Sequence, residues 1–384
     1  MGFEDQLGEG FAPLELAPLA EWPLVSVLLT NFNYGNFVAA AVESVLRQTY
    51  EHIELIVCDD GSTDDSPALL RSLAKSDERI TLIEKENGGQ ASALNLAYPR
   101  ASGNIICWLD ADDALLPTMV ERVVELFSSE ACGAVVGPLL VVDSSLSPLQ
   151  RLPVGHGLES GWIADRVVAR GGRWGVVAGG GISLRREVAD PIFPIPSNSR
   201  SVVADQFLYR LAPLLVPVGS LRDPLYLYRT HDSNAGLVKK LEPAFVRERL
   251  VAVQRTTEAV NERLRVLGLE RRTLDVSRNV ALKEQELYLS LSGNSATWRA
   301  QTRDYLTMAK MLARDDLYGL ARRSGLIALY GIALFLPSRL RPGFISHTRF
   351  LTYGHGYKLG KALRSRRMVR RGAGRRRRSG NPRG

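Results

Sequence analysis

Two acidic clusters stand directly behind apolar runs. Asp59-Asp60-Gly61-Ser62 follows Ile53-Glu54-Leu55-Ile56-Val57, and Asp110-Ala111-Asp112-Asp113 follows Ile105-Ile106-Cys107-Trp108-Leu109. Carboxylates that converge repel one another unless a cation sits among them, so the chemistry this pattern suggests is divalent-metal binding. Each run is short, β-branched and followed by a turn signal, which predicts a buried strand. In an open α/β sheet ligands bind outside the carboxyl ends of the strands, so both clusters are expected to face one pocket.

The elements that would position them alternate. Strands are predicted at Val25–Leu29, Ile53–Val57, Ile80–Ile83 and Asn104–Leu109, with helices after Gly35, after Asp65 and from Gln90 to Tyr98. Such alternation calls for a parallel, Rossmann-like sheet with right-handed crossovers. A helix over Met119–Phe127 and strands at 134–137 and 139–142 follow, then a Gly-rich loop-and-helix segment from Leu152 to Gly181. Residues 1–23 read as an irregular lead-in, 24–238 as the α/β domain and 239–357 as a helical C-terminal region. Residues 358–384 read as a basic, disordered tail.

The formal net charge is +8 over 384 residues. Twelve Lys and Arg and no acid lie between Lys358 and Gly384, so removing that tail leaves −4 on the rest. Nucleic acid is therefore not the expected partner; an anionic membrane surface, met through 325–384, is. The apolar stretch 325–337 is too short to span a bilayer and is read either as a buried core helix or as a membrane-surface segment. Three cysteines without metal-type spacing, and no secretory or myristoylation signal at the N-terminus, favour a cytoplasmic setting, peripheral on the inner face of the membrane.

Taken in order, Val25-Ser26-Val27-Leu28-Leu29-Thr30-Asn31-Phe32-Asn33, Ser44-Val45-Leu46-Arg47-Gln48-Thr49-Tyr50, Asp59-Asp60-Gly61-Ser62-Thr63-Asp64 and Leu109-Asp110-Ala111-Asp112-Asp113 resemble a family 2 glycosyltransferase over residues 24–235. The resemblance implies a GT-A fold, a nucleotide-sugar donor, a divalent metal (Mn²⁺ or Mg²⁺) and inversion at the anomeric carbon. It implies that Asp112 is the direct metal ligand and Asp110 its partner or the ribose contact, with His231 of Tyr228-Arg229-Thr230-His231 completing the metal or diphosphate site. Asp113 either belongs to this cluster or caps the next helix. Asp60 is implied to accept a pyrimidine N–H, with Asp59, Thr30 and Asn33 beside it, favouring a UDP- or dTDP-sugar. Asn87, Gly88 and Asn95 match the family's Asn-x-Gly…Asn segment, although Leu94 stands where an Arg is often found.

Asp205 is the candidate base, in a segment resembling the family's Glu-Asp…Arg pattern, with Ala204 in place of the Glu and Arg210 closing it. Trp162, Trp174 and Arg210 are expected on the acceptor side. The implied role is sugar transfer to a glycan or lipid-linked hydroxyl in polysaccharide, glycolipid or cell-surface glycan assembly. Two rivals are a non-catalytic sugar-nucleotide-binding protein and a nucleotidyltransferase. The latter wants a basic Gly-rich loop after the first strand, which Asn31-Phe32-Asn33-Tyr34-Gly35 lacks. The lack of a Gln-x-x-Arg-Trp motif speaks against a processive synthase.

Overall fold

The computed structural model describes residues 12–152, 158–176, 181–197, 202–231, 242–293 and 296–345. Both the glycines before Gly181 and the tail from Lys358 onward lie outside them.

A seven-stranded sheet runs in the order β10-β6-β9-β4-β1-β2-β3. Its centre is β1 (Val25–Asn31), paired parallel with β2 (Ile53–Asp59) on one side and β4 (Ile105–Asp110) on the other. Beyond β2 lies β3 (Ile80–Glu84), also parallel. The chain thus winds one way from β1 to β3 and then crosses to β4, so the switch point lies between β1 and β4. Central strands of a parallel sheet are buried on both faces and read as near-continuous apolar runs. Val25, Val27, Leu28, Leu29, Leu55, Ile56 and Val57 are accordingly fully buried. At about 1.5–3 kcal/mol for each such side chain, this core is the main source of stability.

Helices α1 (Gly35–Leu46), α2 (Ser66–Ser76) and α3 (Gln90–Ala97) make the crossovers. A fourth, α4 (Met119–Ser129), buries Met119, Val120, Val123, Val124 and Phe127, a single stripe at helical spacing. A small second sheet, in the order β5-β11-β7-β8, contains β5 (Ala114–Leu115), β7 (Leu139–Val142), β8 (Pro148–Leu152) and β11 (Tyr226–Arg229). The strands predicted at 134–137 and 139–142 therefore go to different sheets: β6 (Ala134–Val136) joins the large one and β7 the small one. Strand β9 (Ile182–Arg185) runs antiparallel between β4 and β6, and β10 (Val218–Ser220) closes the edge. Short helices α5 (Ala164–Ala169) and α6 (Arg186–Ala189) precede α7 (Ala204–Leu215), which is buried along most of its length.

From residue 243 the chain is helical: α8 (Pro243–Val266), α9 (Val280–Ser292), α10 (Trp298–Arg314) and α11 (Leu320–Phe335). Val260 and Leu264 of α8 enter the core beneath the sheet, whereas Tyr288, Met308, Leu326, Tyr330 and Ala333 form a second core among the helices. The apolar stretch from 325 thus buries one face within the protein; Ile332 and Phe335 point outward. Arg341, one of the basic residues after that stretch, donates to the carbonyls of Leu334 and Leu336 and so caps α11. No helix among the described residues is long and apolar enough to cross a membrane.

Candidate active site

The register of the central strands places Thr30 beside Asp110 and Asn31 beside Asp59, so the two acidic clusters flank the end of β1. Asn31 ties the loops together: its amide Nδ2 donates to Asp59 Oδ2 at 2.7 Å and to Ser62 Oγ at 3.0 Å. Asn33 adopts a left-handed conformation (φ 59°), where its backbone N–H reaches Ser62 Oγ and its Oδ1 accepts from the Thr63 N–H at 2.8 Å. Asn tolerates that conformation better than most residues.

Asp60 is buried and holds the Asn87-Gly88-Gly89 loop. Its Oδ1 accepts from Lys85 Nζ at 2.6 Å and Gly88 N at 2.9 Å, and Oδ2 accepts from Gly89 N at 2.7 Å. Gly61 makes this close approach possible. Its φ is +77°, and an added Cβ would lie 2.7 Å from the Asn87 backbone nitrogen. Gly61→Ala is therefore expected to lower stability by about 1–3 kcal/mol and to displace the glycine loop. Urea unfolding with a parallel nucleotide titration checks this; unchanged values for both would remove the loop-packing argument. Asn95 is placed elsewhere: both its amide atoms bond the backbone of Ile195, at 2.6 and 2.7 Å.

The second cluster is tighter. Ligand oxygens of Asp110, Asp112 and Asp113 all lie within 4.8 Å of one another. Asp110 Oδ1 accepts from Gln90 Nε2 at 2.7 Å, and Asp112 Oδ2 faces His231 Nε2 at 3.0 Å. Asp113 does not cap the following helix, whose N-cap is Thr118; its Oδ1 accepts the Arg229 backbone N–H at 2.8 Å, pinning β11 to the acidic loop. Burial first, then the Asp112 and Asp205 charges, push Asp110 up to about 7. Asp113 is raised by the same causes, burial and then Asp112 and Asp110. An all-oxygen set with this much unrelieved negative charge fits a hard divalent cation.

Asp205 sits in the first turn of α7 and accepts from the Gln206 N–H at 2.6 Å. Burial raises its carboxyl above the ordinary range, against the Gln206 N–H and the Arg210 charge, which lower it. It acts electrostatically on Asp110, and both act on the buried Tyr209, so α7 brings its acid to the same place as the strand-end cluster. Trp174 is buried, its Nε1 donating to the Tyr209 carbonyl at 2.8 Å, while Trp162 lies under the Arg272 guanidinium.

Four residues that the sequence did not single out shape the site. Lys85 and Gln90 hold Asp60 and Asp110, and Phe37 stacks on His231 at 4.6 Å between ring centroids, with Tyr34 edge-on at 5.7 Å. A lysine at a strand end and a Gln opening a helix after Gly-Gly are the available signals, and both are weak.

The sequence matches known proteins. A family model described as glycosyl transferase family 2 matches residues 26–193. An uncharacterized glycosyltransferase of Nostoc sp. is 28% identical over 266 residues, covering 69% of this chain and 82% of that protein. The glycosyltransferase GlyG of Streptococcus pneumoniae is 28% identical over 214 residues, covering 54% and 70%. A mannosyltransferase from Pyrobaculum calidifontis, solved in complex with GDP-Man and Mn²⁺, aligns with 90% of this chain and 91% of its own at 18% identity and a TM-score of 0.46. Asp205 and His231 lie beyond the matched stretch, so their roles rest on geometry. With its mainly parallel sheet of GT-A type and its switch-point acids, the domain resembles glycosyl transferase family 2, whose model matches the stretch 26–193 that holds both acidic clusters.

Proposed function

We propose that this protein transfers a sugar from a UDP- or dTDP-sugar to a hydroxyl of a glycan or lipid-linked acceptor, inverting the anomeric carbon, in polysaccharide, glycolipid or cell-surface glycan assembly. The observation that carries this is that Asp205, in the first turn of α7, lies close enough to Asp110 at the end of β4 for its charge to act on that carboxyl, beside the acidic cluster of Asp110, Asp112 and Asp113. Asp110 and Asp112 would hold Mn²⁺ or Mg²⁺, with His231 as a third ligand or as the group that orients Asp112. Such a cation, when bound, neutralises the charge on the departing diphosphate. Thr30, Asn33, Asp59 and Asp60 take the nucleoside, and Asn87 and Gly88 its ribose or phosphates. A carboxylate has about four acceptor positions, so Asp60, with three donors on it, can take one more from an imide N–H. Asp205 accepts the proton of the acceptor hydroxyl as that oxygen bonds to the anomeric carbon and the bond to the diphosphate breaks. The test is diphosphate release from a panel of nucleotide sugars with and without Mn²⁺. Release from no donor, with no nucleotide stabilising the protein, would end the reading.

We place the α/β domain at 24–238 and the helical region at 239–357, and we place the protein on the cytoplasmic face of the membrane. Phe335 and Leu340, exposed at the end of α11 and just beyond it, support this, as does the basic sequence that follows. Co-sedimentation with vesicles containing anionic lipid, lost at high salt, is expected. Equal recovery with neutral vesicles would refute the electrostatic part.

A further inference from the structure

A cavity of about 250 Å³ lies where the helical region meets α7, lined in part by Arg173, Trp174, Gln206, Tyr209, Arg210 and Arg249. Three of its lining residues are arginines and none is Asp or Glu. Arg173 is already committed to Asp315 at 2.5 Å. Among the described residues Arg210 makes no direct ion pair, although the Asp205 charge acts on it. Its Nη1 donates to Gln206 Oε1 at 2.9 Å, but its Nε is sealed from solvent with no hydrogen-bond partner. A buried guanidinium N–H without an acceptor is costly, and the fork of Arg matches an oxyanion. Gly172, at φ +86°, lies beside the Arg210 side chain, whose Cδ and Nε are 3.4 Å from where a Cβ would stand.

The cavity adjoins the reacting region. Gln206, Tyr209 and Arg210 project from one face of α7, and Tyr209 feels the charges of both Asp205 and Asp110. Resting on the glycosyl-transfer reading above, we propose that this cavity is an acceptor subsite for a phosphate-class oxyanion, so that the acceptor is itself phosphorylated and its attacking hydroxyl lies toward Asp205. Arg210 and Arg249 grip the oxyanion, and Trp174, Val253 and Leu282 line the space for the moiety that carries it. Burial lowers Arg210 to about 10 against the Asp205 charge, which raises it, with Arg249 adding a smaller lowering, so it remains charged at neutral pH.

The test uses the full chain in EDTA, so that metal-dependent donor binding is suppressed, and follows the thermal shift caused by inorganic phosphate. Glucose 6-phosphate and geranyl phosphate stand for a glycan and a lipid source. A shift is expected in the native protein, with the apparent Kd raised about tenfold or more in Arg249→Ala and in Arg210→Lys, which keeps the charge and loses the fork. Arg249 is exposed on α8, so its truncation leaves a folded protein should Arg210→Lys fail to fold. A stronger response to geranyl phosphate assigns a lipid carrier, and a stronger response to glucose 6-phosphate a phosphorylated glycan. No shift, or a shift unchanged in both variants, overturns the subsite. Nucleotide-sugar binding with Mn²⁺, measured alongside, shows separately whether the donor reading stands.

Discussion

Asp112→Ala is expected to lower metal-dependent diphosphate release by about 10³-fold or more, because on the proposed reading it removes the carboxylate that would share a cation with the leaving group. The fold is expected to tolerate the change. Asp112 crowds Asp110 and Asp113, and its charge raises both. Removing it relieves repulsion but gives up the hydrogen bonds to His231 and Tyr34, so the metal-free melting temperature should stay within a few degrees of native. Stabilisation of the native protein by Mn²⁺ should disappear in the variant. Turnover within about tenfold of native would show that the cluster is not the metal site.

Asp205→Asn carries the second large effect. The amide keeps the shape and can still accept the Gln206 N–H, so α7 is left intact, but it cannot take a proton at neutral pH. The expected loss is about 10²- to 10⁴-fold in kcat, with little change in KM for the donor. Because burial raises the Asp205 carboxyl, native activity should fall as pH drops through a value above the ordinary carboxylate range, where the base becomes protonated. A variant with native kcat would reduce Asp205 to a residue of the helix first turn.

Strands β1, β2 and β4 were readable because each is an apolar run ended by a turn signal, and local pattern is enough for a strand buried on both faces. The acids at their ends were readable for the same reason. Strands β5, β9, β10 and β11 have only two to four residues each and pair with partners remote in sequence, so nothing local marks them. The second sheet was therefore not anticipated. Hydrogen bonds across long separations were equally hidden: Gln90 meets Asp110 twenty residues on, and Asn31 meets Asp59 twenty-eight on. His231 shows the difference most plainly. Its type and motif suggested a ligand, but the Phe37 and Tyr34 rings that hold its imidazole come from the opposite end of the domain.

Strand β9 has a consequence for how the protein is made. Lying between β4 and β6, it alone joins the four parallel strands to the two at the other edge. As the polypeptide leaves the ribosome, β1 to β4 can assemble at once, whereas β6 has no neighbour to dock on until residues 182–185 emerge. The nascent chain must carry an unfinished sheet edge across that interval, and the edge it exposes, β4, is the strand that ends in the acids. A truncation before Ile182 therefore keeps β1 to β4 as a sheet but leaves β6 with no strand to pair with, because β10 is lost together with β9.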